Sequence, residues 1–93
     1  MFDHILKQMR EKVRTRQYVM TLHAEEEMND DGLTIFDVER GILTGEIVER
    51  QKDRQAGEWK YVVEGQTLAE CGITVVAKFS PTGKLVFITV YLE

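Results

Sequence analysis

Over the first fourteen residues the apolar positions recur at helical spacing. Phe2, Ile5, Leu6, Met9 and Val13 form one stripe, with Lys7, Arg10 and Arg14 on the opposite, solvated side. The spacing predicts an amphipathic helix over residues 3–14. "YVMTL" at residues 18–22 is a short β-prone stretch, and a brief helix is expected over 22–30, with Gly32 supplying a left-handed stop. A stronger helix start comes at Thr34. Thr34 and Asp37 have capping-box spacing, with Asp in place of the usual Glu, and Leu33 and Val38 sit where a hydrophobic staple would close. This helix should run through Ile35, Val38 and Ile42 and end before Gly45, where a second positive φ is expected.

From Glu46 the period falls to two. "EIVERQK" and "EWKYVVE" read as strands joined by "DRQAG", which has hairpin character. "CGITVVAKF" places Cys71, Ile73, Val75, Ala77 and Phe79 on one face, so Cys71 reads as a buried, inert thiol. "SPTGK" is a turn, and "LVFITVYLE", apolar on both faces, is expected as an interior strand. The order predicts an α+β fold: two main N-terminal helices and a short one, packed on one face of an antiparallel sheet of about four strands.

Composition narrows the setting. Ninety-three residues suit a single domain spanning 1–93, and 43% hydrophobic with 30% charged residues is the balance of an ordinary globular protein. A single cysteine excludes an intrachain disulfide and points to a reducing compartment. With no secretory or membrane-length apolar run, the cytoplasm is the expected location, with no membrane partner. The net charge of −4 is unevenly spread. Residues 1–16 carry five basic and two acidic groups, residues 17–39 carry seven acids and no Lys or Arg, and residues 40–93 carry seven of each. A chain so balanced lacks the clustered cations of a broad phosphate-binding surface, although a local basic strip is compatible with it.

Candidate chemistry is sparse. His23 has an ordinary pKa near neutrality, suited to general acid or base work, and on a helix it shares a face with Glu26 and Glu27. The alternative is a capping or packing histidine among acids that favour a helix N-terminus. One cysteine and two histidines, with His4 on the exposed side of the first helix, do not make a metal-ligand set, so neither a metal nor another cofactor is expected. The glycines are scattered and form no phosphate-cradling loop. After residue 40 the one basic cluster is Arg50, Lys52 and Arg54, with Lys60 across the hairpin. Strand spacing would put the first three on one face near Trp59 and Tyr61, an arrangement suited to single-stranded RNA or to the charged edge of a sheet.

From "YVMTLHAEEEMNDDGLTIFDVERGILTGEIVE" through "ITVVAKF" to the terminal "ITVY", roughly residues 17–92, the chain resembles the bacterial domain-of-unknown-function family numbered 4258. Its motif runs T-x-H-A-x-x-R-M-x-x-R-G-I, then a D-V-x-x-x-I-x-x-G helix. His23, Ala24, Met28, Gly32, Asp37, Val38, Ile42, Gly45 and Tyr91 fall on matching positions, whereas Glu27 and Asp31 replace two arginines. The helix-helix-strands plan is similar to RelE-type toxin ribonucleases, an analogy of fold. That analogy implies His23 and Tyr91 as catalytic residues, with Arg50, Lys52, Arg54 and Lys60 steering RNA, and an antitoxin-like protein partner. The acidic replacements argue instead for a non-catalytic protein-binding module, docking through an edge strand or the basic face of the first helix. Both readings stand at this point, and a monomer or small homo-oligomer is expected for either.

Overall fold

The helical period becomes three helices: α1 (Asp3–Arg14), α2 (Leu22–Asp30) and α3 (Ile35–Thr44). The segments of period two become β2 (Glu46–Asp53), β3 (Glu58–Gln66), β4 (Gly72–Phe79) and β5 (Leu85–Leu92), and "YVM" becomes β1 (Tyr18–Met20). The structure, a computed structural model, describes residues 1–55 and 57–93; Ala56, in the expected hairpin, lies outside the described residues. The strands form one sheet in the order β1-β5-β4-β3-β2. Neighbours are antiparallel except β1, which runs parallel to β5 with Val19 opposite Val86. Among the described residues the sheet therefore has five strands, not about four, and is mixed. A three-residue strand paired to the far end of the chain leaves no local periodicity to read.

One sheet face is dry. Tyr61 and Val63 of β3, Ile73, Val75 and Ala77 of β4, and Leu85, Phe87 and Val90 of β5 are buried there. Against them pack Met9 and Val13 from α1, Ala24 and Met28 from α2, and Val38 and Ile42 from α3. A bulge between Phe87 and Thr89 keeps Val90 inward after a change of register. Cys71 precedes β4 and is exposed, correcting the buried reading. Its alternation was right in phase, but the strand begins one residue later, after a turn through Glu70 at φ 63.

The seat of α3 depends on missing side chains. A Cβ on Gly65 would fall on the carbonyl of Gly41, and one on Gly45 would lie 2.7 Å from the carbonyl oxygen of Glu64. A Cβ on Gly41 would meet Ile73 at 2.8 Å. The helix backbone thus rests directly on β3 and β4. Gly32 holds the expected positive φ, 68°, but Gly45 has φ −90°. Its glycine is required by close approach, not by a left-handed stop. The C-terminal carbonyls of α3 are met from α1: the Arg10 guanidinium donates to the carbonyl of Gly45 at 3.0 Å and to that of Ile42 at 3.4 Å. Arg10 is thus a cap, not part of a solvated face. The capping box at Thr34 forms as read, and Asp37 extends it by accepting the Leu68 N–H at 3.1 Å. The Thr34 and Leu68 amides hold the Asp37 carboxyl below its ordinary pKa, against the effect of burial.

Gly65→Ala should cost about 3 kcal/mol, because backbone must move to admit the methyl. Gly32→Ala, with open space around the new Cβ, should cost only the left-handed strain of about 1–2 kcal/mol. Urea unfolding of the two variants checks the order.

Candidate functional site

The acidic run after His23 divides by helical face. Thr21 caps α2, accepting the Ala24 N–H at 3.1 Å, and ties it to β5 by donating to the carbonyl of Ile88 at 3.1 Å. β1 covers the edge of β5 only from Leu85 to Phe87. Beyond that point α2 takes over. Glu27 Oε1 accepts the Val90 N–H and, one turn on, Asp31 Oδ2 accepts the Leu92 N–H, each at 3.2 Å. These are the two positions where the resembling motif carries arginine. Arginine has no acceptor, so it could not satisfy these amides. Both acids therefore have a structural role, closing a sheet edge that would otherwise present unpaired donors. His23 lies on the same helix with its Nε2 3.2 Å from Glu27 Oε1, and its side chain is 66% exposed.

The other sequence-predicted residues do not gather around it. Tyr91 lies opposite Thr74 on the helix-free face of β5 and is 43% exposed. Among the described residues no hydrogen bond or ion pair joins it to His23. Arg50 and Lys52 lie on β2, across three strand spacings from β5, about 14 Å. Both are engaged: the Arg50 guanidinium lies 3.9 Å from the centre of the Trp59 ring, with Phe2 at 5.8 Å, and Lys52 Nζ is 5.3 Å from Trp59. Register places Arg50 opposite Tyr61 and Lys52 opposite Trp59, on the helix-bearing face. Lys60 pairs with Gln51, one step out of phase, and so points to the other face; Arg54 sits in the turn after β2. Arg50 and Lys52 thus share a face as strand spacing implied, whereas Arg54 falls outside the strand and cross-strand register turns Lys60 to the other face.

Sequence reasoning missed a groove at the opposite edge. Gln17 and Thr21 bond β5 through the Leu85 N–H and the Phe87 carbonyl, both at 3.1 Å. Strand alternation then turns the backbone groups of Tyr18 and Met20 to the open side of β1. Beside them runs a cavity of about 430 Å³ lined by Tyr18, Val19, Met20, Glu25, Met28, Asn29 and Ile35. Of its lining residues, Val19 is an exposed apolar side chain. Tyr18 packs against Phe87 and its hydroxyl donates to Glu39 of α3. Burial first, then that hydrogen bond and the carboxylate charge, push the Tyr18 pKa up to about 12, with Arg16 pulling the other way. The lysine-free and arginine-free stretch 17–39, read as an acidic wall instead of as surroundings for His23, was the available signal.

These features define a small α+β domain with one face of its sheet covered by helices and one edge left open. Compared with protein-family models, residues 20–92 match the domain of unknown function DUF4258, and the chain belongs to that family. No curated protein and no solved structure matches it. Among the described residues no group of His, Cys, Asp and Glu is placed to hold a metal ion, and no helix is long and apolar enough to cross a membrane.

Glu27→Ala should expose the Val90 amide to faster hydrogen exchange and cost about 1–2 kcal/mol, whereas Glu27→Gln, which keeps an acceptor, should cost less. Hydrogen exchange at Val90 and urea unfolding separate the two. Because folding raises the Tyr18 pKa, its contribution to stability is full below about pH 10, the unfolded value, and is lost as pH rises to about 12. An ultraviolet titration should show a late ionisation that Tyr18→Phe removes. In Glu39→Gln the Tyr18 pKa should fall without reaching the ordinary value, because burial remains.

Proposed function

We propose that this protein is a non-catalytic protein-binding module that accepts an extended segment of a partner as an additional strand at β1. One observation carries the reading: outward-facing backbone groups of Tyr18 and Met20 border a groove with apolar and polar walls. Strand addition draws affinity from such main-chain groups and specificity from pockets that receive alternate side chains. Natural sheets shield their free edges with shortness, charge, bulges or coverings; β1 is short, but its three residues carry no charge, only apolar Val19 and Met20 and the Tyr18 ring. The opposite edge, β2, carries Arg50, Lys52 and three acids, the composition of a protected edge.

The ribonuclease reading keeps one observation in its favour: His23 is solvent-exposed and its ring is held by Glu27. RNA cleavage also needs cations facing the charge that develops on the scissile phosphate. Around His23 stand Glu26, Glu27 and Asp30, and the candidate cations lie across the sheet. This distribution favours the binding module.

A photo-crosslinking amino acid at exposed Val19 should capture a discrete partner in a bacterial host, and the adduct should vanish with Met20→Pro, which removes an outward N–H. A crosslinker at exposed Val48, on β2, is the control. Induced expression of the wild type and of His23→Ala should leave growth and total RNA alike. RNA loss specific to the wild type would establish the ribonuclease reading instead.

A further inference from the structure

We infer that the segment captured at β1 is basic, with lysine or arginine alternating with apolar residues. The inference rests on the strand-addition reading above and names the chemistry of its partner. An added strand sends alternate side chains to opposite faces. On the helix-bearing face they enter the groove, whose floor is Met20, Met28 and Ile35 and whose wall carries Glu25 and Asn29. Small apolar side chains suit that floor. Next to the groove, Glu39 of α3 holds the Tyr18 hydroxyl, and Glu25 is exposed on the groove wall.

From Gln17 to Glu39 no lysine or arginine offsets these acids. The cation whose charge acts on Tyr18, Arg16, lies before the N-terminal end of β1. The acidic rim therefore belongs to the C-terminal end of the edge, where Glu25 stands, and the partner's cations belong beside it. Opposed charge around a strand-pairing edge steers encounter and disfavours acidic competitors. A second copy of this chain fits less well at the same edge. Its β1 carries no lysine or arginine, and its β2 sets Glu46, Glu49 and Asp53 against Arg50 and Lys52, which stack on Trp59, so neither free edge is a basic strand.

The test is selection of a displayed library of random short peptides on the intact protein, with counter-selection on Met20→Pro. The expected result is a set of peptides with net positive charge and alternating apolar positions. They should bind about tenfold more tightly than versions with each cation changed to glutamate, and weaken as salt is raised. Glu25→Lys, an exposed change that leaves the core intact, should weaken the selected peptides several-fold. Peptides selected at the edge without a basic bias would overturn this inference and leave strand addition standing. No enrichment over Met20→Pro, together with no slowing of hydrogen exchange at the Tyr18 and Met20 amides, would overturn strand addition itself. Sedimentation of the peptide-free protein as a dimer that Glu25→Lys or Met20→Pro dissociates would assign the edge to a second copy and also overturn the proposal.

Discussion

The direct contact between the α3 backbone and the sheet is the constraint on which the remaining architecture depends. At Gly45 and Gly65 carbonyl groups stand where methyl groups would otherwise be, and at Gly41 the Ile73 side chain does. This closeness brings Val38 and Ile42 fully into the core against β3 and β4. It also leaves the end of α3 without a left-handed stop, since Gly45 continues directly into β2 in extended conformation. The carbonyls freed at that end are taken by Arg10, which fixes α1 against α3. One steric requirement thus sets the positions of two helices, and a charge on α1 is used inside the fold.

Edge management explains the acids on α2. β5 is an interior strand for half its length by virtue of β1 and for the other half by virtue of Glu27 and Asp31, whose carboxylates take the place of a neighbouring strand's carbonyls. The two acceptors lie four residues apart on the helix and their donors two apart on the strand. One helical turn rises about 5.4 Å and two strand residues about 6.6 Å, so the spacings nearly match. Covering β5 in this way moves the open edge outward to β1, which is too short to carry protective charges of its own.

The same geometry separates the elements of a catalytic site. His23 and Tyr91 belong to the β5 side of the molecule, whereas Arg50 and Lys52 stack on Trp59 on the β2 side, and Lys60 points to the helix-free face. On that face Lys78 pairs with Glu58 at 2.8 Å, which raises the lysine's pKa and uses another charge locally. The charges of this protein are mostly committed to its own structure. The backbone groups of β1 are less so.

The sequence by itself determined the local elements. Helical period located α1 and α3, the Thr34–Asp37 spacing located a cap, the left-handed stop at Gly32 followed from its place after α2, alternation located β2 to β4, and the run apolar on both faces located β5. These depend on neighbours a few residues apart, and such neighbours are printed side by side in the chain. Tertiary structure alone decided the rest: the parallel pairing of β1, the extended backbone at Gly45, the exposure of Cys71, the division of Arg50, Lys52 and Lys60 between two faces, and the conversion of Glu27 and Asp31 from unexplained acids into acceptors for β5. In each case the deciding partner lies far along the chain or depends on strand register. A shift of one residue in register reverses the face a side chain occupies, and local composition does not specify that register.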